Sequence, residues 1–219
     1  DGSIKQFRIQ KLFSFLGLQK NEVEEVSAGD IVAVAGLSDI FVGETLCNVG
    51  QEEALPPIKV SEPTVEMIFS TNDSPFSGKE GKFVTSTKVE ERLFRETQKD
   101  VSLKVEKAGA HDEWKVCGRG ELHLGILIEN MRREGYEFQV AKPRAIIIEK
   151  DNIKYEPFEY VQVDVPNEYA GPVIELMGRR GGYLENMENT ISQTRIIYTV
   201  PSRGLIGIST DFMTASKGF

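Results

Sequence analysis

Apolar residues change their spacing along this chain, and the changes divide it into three stretches. Over residues 1–57 the spacing is that of strands. Phe7-Arg8-Ile9-Gln10-Lys11-Leu12 alternates, an apolar run over 29–36 lies between glycines, and a turn-and-strand signal follows at 42–46. No helical period appears here, so a β-rich segment is expected. Pro56, Pro57 and Pro63 frame a linker. Beyond it the period alternates between two and 3.6. Residues 65–70 read as a strand, 78–100 as mostly helix with Val89 and Leu93 one turn apart, and 103–107 with 114–116 as a hairpin turning within 108–113.

The clearest element follows. Leu124, Leu127, Ile128 and Met131 repeat at i, i+3, i+4, i+7, predicting a helix over 121–134. Gly118 and Gly120 permit a tight turn ahead of it, Glu121 suits its positive end, and Arg132 and Arg133 suit its negative end. Gly135 is the expected stop, and a strand is expected over 136–140. The order β-α-β-β-α-β is that of a ferredoxin-like module spanning 58–143. Pro143 marks the next boundary. Strands over 145–149 and 158–165, a helix over 170–177, strands over 183–187 and 195–200, and a helix over 204–216 repeat the order as far as its second helix. A second ferredoxin-like module, truncated before its last strand, is therefore expected over 144–219. The fold class expected is α+β.

Composition narrows the chemistry. The 219 residues carry a formal net charge of −8, so the chain as a whole is no electrostatic binder of nucleic acid, and any such contact must come from local basic clusters. Cys47 and Cys117 lie in separate apolar segments and read as buried thiols of a reducing compartment. With two histidines they form no metal-ligand spacing. There is no membrane-spanning run and no signal-peptide pattern. The chain starts without methionine and stops in mid-pattern, so a fragment is expected.

A catalytic reading finds little support. No Gly-x-x-x-x-Gly-Lys-Ser/Thr loop is present, and Glu80 follows Gly78-Lys79 where a magnesium-binding hydroxyl would stand. Gly118-x-Gly120 lacks a third glycine. His123 has no evident carboxylate partner nearby in sequence and reads as a packed or capping residue, and His111 as solvated. Glu90, Glu91, Arg92, Arg95 and Glu96 read as a solvated helix face. No catalytic, cofactor or metal residues are assigned. The basic clusters are better candidates. Arg179 and Arg180 stand before Gly181-Gly182 at a loop tip, Arg203 precedes a helix start, and Lys217 ends that helix. Lys79 and Lys82 lie on a glycine-bearing loop. Arg132, Arg133, Lys142 and Arg144 fit capping and interdomain salt links at least as well.

Four collinear segments carry a resemblance. They are Gly118-Arg119-Gly120-Glu121-Leu122-His123-Leu124 with the following Glu129-Asn130-Met131-Arg132-Arg133-Glu134-Gly135, Ser74-Pro75-Phe76-Ser77-Gly78-Lys79-Glu80-Gly81-Lys82-Phe83, Glu53-Ala54-Leu55-Pro56 with Glu62-Pro63-Thr64-Val65, and Pro201-Ser202-Arg203-Gly204-Leu205-Ile206-Gly207. Together they resemble the BipA/TypA family of ribosome-binding translational GTPases. The resemblance implies that 1–57 is the later part of a β-barrel second domain, 58–143 the third domain and 144–219 the fifth. It implies a cytoplasmic, non-catalytic fragment lacking the GTPase domain that would hold GTP and magnesium. Its partners would be the ribosome and that GTPase domain in cis, with no membrane. Arg179, Arg180, Arg203, Lys217, Lys79 and Lys82 become candidate contacts to ribosomal RNA. Alternatives are the same regions of an elongation factor G relative and a ferredoxin-like small-molecule regulatory module.

Overall fold

The computed structural model describes residues 4–37, 40, 42–56, 60–109 and 112–219. Ala110 and His111, and with them part of the expected 108–113 turn, lie outside the described residues, as does Pro57 of the linker. The chain forms two units, Asp1–Lys59 and Val60–Phe219.

The first unit holds three antiparallel strands, β1 (Lys11–Leu16), β2 (Gln19–Val23) and β3 (Val32–Ala35), in the order β2-β1-β3. A two-residue turn with Gly17 at φ +61° joins β1 to β2. The strand expected over 7–12 begins four residues later. The ladder ends where Lys11 faces Ala35, because Gly36 leaves the sheet at φ +109°, and a Cβ there would lie 2.8 Å from the Arg8 carbonyl oxygen. Residues 42–46 form no strand among the described residues. Side chains hold this region instead: Leu55 N–H donates to Thr45 Oγ1 at 3.1 Å, and the exposed Cys47 thiol contacts the Glu53 carbonyl at 3.3 Å. The expectation of a buried Cys47 is thereby corrected. No described residue of this unit is fully buried.

The second unit contains two larger sheets with separate cores and a two-stranded hairpin. In the first, β4 (Val65–Ser70), α1 (Ser86–Lys99), β5 (Lys104–Lys107), β6 (Glu113–Gly118), α2 (Glu121–Arg133) and β7 (Gln139–Val140) build an antiparallel sheet ordered β5-β6-β4-β7. A short β8 (Arg144–Ala145) pairs with the other end of β4. Alternation on β4 turns Val65, Met67 and Phe69 inward. They meet Trp114 and Val116 of β6, Val89 and Leu93 of α1, and Leu124, Leu127 and Met131 of α2. The helical spacing read from 121–134 is thus the face that closes this core.

Next comes a hairpin, β9 (Ile148–Lys150) and β10 (Ile153–Tyr155), turning through Asp151 and Asn152 at φ +53° and +61°. The single strand expected over 145–149 is therefore split between β8 and this hairpin. β11 (Phe158–Pro166), a 3-10 turn (Asn167–Tyr169), α3 (Ala170–Arg179), β12 (Tyr183–Asn189) and β13 (Gln193–Pro201) follow. Their antiparallel sheet runs β11-β13-β12. Val163, Val165, Ile196, Tyr198 and Val200 face Val173 and Met177 of α3. The helix expected over 204–216 is broken into α4 (Ser202–Leu205) and α5 (Ile208–Ala215), because Gly207 between them takes φ +69°.

Candidate nucleic-acid interface

The helix expected from residue 78 does not begin until Ser86, and the reason is a carboxylate. Glu137 lies just past α2. Its Oε1 accepts the Gly78 N–H at 2.8 Å and the Asn72 amide at 2.7 Å. Its Oε2 accepts the Glu80 N–H at 3.1 Å and the Gly81 N–H at 2.9 Å. Three main-chain donors thus curl round one anion, forming a nest. Gly78 sits at φ +81°, and a Cβ on Gly81 would lie 2.5 Å from Glu137 Cβ, so both glycines are needed for this approach. The donors of Gly78, Gly81 and Glu80 lower the Glu137 pKa to about 2. Lys82 and Phe83 then donate to the Gly135 carbonyl at 2.8 and 3.0 Å, laying the loop against the end of α2. Lys79 and Lys82 both project into solvent, Lys79 over the exposed Phe76 ring at 4.8 Å.

This geometry bears on nucleotide binding. This glycine-bearing loop is already filled by the chain's own carboxylate, which would repel a phosphate. No hydroxyl follows Lys79, where Glu80 stands. The residues of this loop do not fit GTP with magnesium.

In the second sheet's module the expected cations separate by role. Arg179 is largely exposed, with Glu175 one turn away at 3.9 Å. Arg180 is tied inward: it donates to the Ile206 carbonyl at 3.1 Å and pairs with Asp211. The Arg180 carbonyl also lies against Gly204, where any Cβ would collide with it. Reading Arg180 as a free loop-tip cation is corrected accordingly; it is a tether between the α3 end and the α4–α5 break. Arg203 pairs with Glu156 at 2.8 Å while staying mostly exposed. Lys217, at φ +52°, lies over the Tyr169 ring at 5.7 Å. An open cleft of about 520 Å³ between α3 and α5 is bordered by Arg179, Arg180, Glu175 and Asp211, so its charges balance.

His123 does have a carboxylate partner, 23 residues back in sequence. Its Nε2 lies 2.7 Å from Asp100 Oδ2, while Nδ1 accepts the Arg119 N–H at 3.2 Å. Burial pushes Asp100 upward, but hydrogen bonds from Ser102 and His123 outweigh it and leave the carboxyl below its ordinary value. Serine and histidine both bond to the aspartate and not to each other, so no nucleophile is activated. The group ties the α1 end to the α2 start. Arg92, expected on a solvated face, is buried and bidentate to Glu134 at 2.7 and 2.8 Å, with Glu96 at 2.6 Å. Glu121 does more than favour the helix end. It also reaches the second module, accepting the Gly207 N–H at 2.7 Å.

Comparison with known proteins bears on all of these segments at once. The whole chain aligns at 56% identity with the large ribosomal subunit assembly factor BipA of Bacillus subtilis, at 49% with that of Synechocystis, and at 45% with that of Escherichia coli K12. The chain belongs to the BipA family. Residues 153–219 match the family described as elongation factor G C-terminus. This BipA-family chain spans 36–37% of the length of those relatives. A crystal structure of a protein from Thermus thermophilus shares the fold at TM-score 0.55 and 15% identity, over 96% of this chain and 47% of that one. Among the described residues no helix is long and apolar enough to cross a membrane, and no group of three or more metal-ligating side chains gathers.

Proposed function

We propose that this BipA-family chain is the non-catalytic, ribosome-docking part of a cytoplasmic translational GTPase. The observation that carries this reading is the whole-length alignment, at 45–56% identity, with relatives named for assembly of the large ribosomal subunit. GTP binding and hydrolysis, with magnesium, belong to a part of the whole protein outside this stretch. In this reading residues 1–57 are the later strands of a β-barrel second domain. Residues 58–143 are a ferredoxin-like third domain, supported by the sheet order β5-β6-β4-β7. Residues 144–219 are a ferredoxin-like fifth domain short of its last strand, supported by the order β11-β13-β12.

The partner is ribosomal RNA, with ribosomal proteins beside it and the GTPase domain in cis. A chain of net charge −8 binds RNA through a few placed cations, so phosphate contacts position it and binding weakens with salt. Arg179 and Lys217 supply outward cations of the fifth-domain module, as does the mostly exposed Arg203. The test is co-sedimentation with bacterial ribosomes across a salt series. Wild type should pellet with ribosomes at low salt and be released as salt rises. Arg179→Ala/Lys217→Asn should lower the slope of log affinity against log salt by about 2, roughly one per phosphate contact. Wild type that stays in the supernatant at low salt refutes the reading.

A further inference from the structure

The Glu137 nest lies beside a second set of cations. Because Lys82 and Phe83 bond to the Gly135 carbonyl, the loop bearing Lys79 and Lys82 abuts the turn of α2 that bears Arg132 and Arg133. Those arginines are mostly exposed and reach back to Glu129 on their own helix, at 2.9 and 2.7 Å. Arg132 also feels the charge of Glu80 on the loop. Two segments 50 residues apart in sequence thus bring the lysine-bearing loop to the end of α2 that carries the two arginines. Glu137 faces inward to the loop's main chain, so its charge is spent on fixing the loop.

We propose that Glu137 is the positioning residue of an RNA-phosphate contact surface made of Lys79 and Lys82 on the loop and Arg132 and Arg133 at the end of α2. The inference rests on the ribosome-docking reading and goes beyond it by naming a second contact surface and the residue that organises it. An unfixed loop carrying two lysines would lose its conformational freedom on meeting RNA. A loop already fixed by four hydrogen bonds has lost that freedom beforehand, and its lysines bind correspondingly better. Phe76, two-thirds exposed beneath Lys79, adds an aromatic face to the same surface.

The sign of the effect separates positioning from charge. Glu137→Gln removes one negative charge from a cationic surface. By long-range electrostatics alone it would strengthen RNA binding. It also replaces one carboxylate oxygen by a donor that cannot accept the nest's N–H groups, so positioning requires that it weaken binding. Binding is measured on the whole 219-residue chain, by co-sedimentation with ribosomes and by fluorescence anisotropy with a labelled RNA hairpin of about 16 base pairs.

Lys79→Ala/Lys82→Ala should lower the salt slope by about 2 and the affinity about tenfold. Glu137→Gln should weaken binding about fivefold and speed amide exchange at Gly78, Glu80 and Gly81. Glu80→Gln, an equal charge change on the same loop whose side chain takes no part in the nest, should strengthen it. Gly81→Ala displaces the loop with no change of charge and should mimic Glu137→Gln, which keeps the test decisive if Glu137→Gln fails to fold. Wild type that binds, together with folded Glu137→Gln and Gly81→Ala chains that bind as tightly or more tightly, overturns the proposal and leaves the docking reading standing. Wild type that binds neither RNA nor ribosomes overturns both.

Discussion

Replacing Arg92 by methionine removes a cation from inside the first sheet's module while keeping a side chain of similar length. Arg92 is 4% exposed and stands between Leu93 and the two carboxylates it serves. Three charge-assisted hydrogen bonds disappear, two to Glu134 and one to Glu96. Two carboxylates lose their main counter-charge, and Glu134 is left with the weaker pull of Lys99 and Arg95. Breaking a fully buried pair costs about 3–5 kcal/mol. Here Glu134 keeps 44% of its side chain in water and Glu96 24%, so hydration recovers part of that and about 2–3 kcal/mol remains. For a cooperative unit of this size the melting temperature should fall by about 5–10 °C.

Trp114, the only tryptophan, is 2% exposed in the same core, so its fluorescence in a urea titration reads this module directly. The pH dependence supplies a second check. Arg92 holds the Glu134 pKa below its ordinary 4.5. A depressed carboxyl stabilises the fold above its unfolded pKa, and that stabilisation is lost as pH falls through the folded one. The gap between wild type and variant should therefore be full at pH 7 and narrow as pH falls below 4.5. A loss under about 1 kcal/mol, or one independent of pH, would show that the network is a surface ornament.

Three further outcomes are expected. The Tyr198 hydroxyl is buried without a hydrogen-bond partner, so Tyr198→Phe should leave stability unchanged or raise it by up to about 1 kcal/mol in urea unfolding; a loss above that would mean the hydroxyl is satisfied. Gly118→Ala would place a Cβ 2.8 Å from Leu124 Cδ2 and 3.0 Å from His123 Nδ1, costing about 1–3 kcal/mol by the Trp114 signal, where an open site would cost nothing. Because the Glu137 carboxyl titrates near 2 against an ordinary 4.5, amide protection at Gly78, Glu80 and Gly81 should hold above pH 4.5 and fade as pH falls toward 2. Fading already at pH 5–6 would mean the carboxylate does not hold the loop.

Much of the fold is legible in the sequence because local pattern and tertiary demand coincide. The α2 boundaries fall within a residue of those read from 121–134, since Gly120, Glu121, Arg132 and Gly135 each favour the same start and stop. The strands at 65–70, 158–165 and 195–200 alternate because one sheet face meets helices. Other features are hidden by sequence distance. Residues 78–85 carry two glycines, Val84 and Thr85, all weak helix formers, and a carboxylate more than 50 positions away captures three of their N–H groups. Pro75, Gly78 and Gly81 are the available signal, and they say that a loop is possible without saying what fills it. Arg92 looks solvated because its neighbours are charged, yet it lies on the Val89–Leu93 face of α1. The Asp100–His123 contact pairs the end of one helix with the start of another, which no spacing along either helix reveals. In the first unit no buried core forms among the described residues, so weak patterns have no packing to enforce them, and the strand expected at 7–12 is displaced to β1.

A common logic joins the corrected positions. Gly78 and Gly81 allow main-chain N–H groups to converge on Glu137, and Gly207 allows one to reach Glu121. In each case a carboxylate at an end of α2 accepts main-chain N–H groups from a break or loop: Glu121 at its start and Glu137 just past its stop. One contact fixes the lysine-bearing loop and the other holds the α4–α5 break. Arg180 closes on the same break from the other side, through the Ile206 carbonyl. The α2 helix thus holds elements of both modules in the second unit, and the charges that look most like free binding groups in the sequence divide into two sets. Arg92, Arg180, Glu121 and Glu137 are consumed in holding backbone and helices, whereas Arg179, Lys217, Lys79 and Lys82 remain outward. For a chain of net charge −8 that is proposed to dock on a polyanion, this division matters more than the total. Acidic residues used as internal fasteners add less repulsion at the contact surface than their number suggests, and a few outward cations on fixed backbone are then enough to set position.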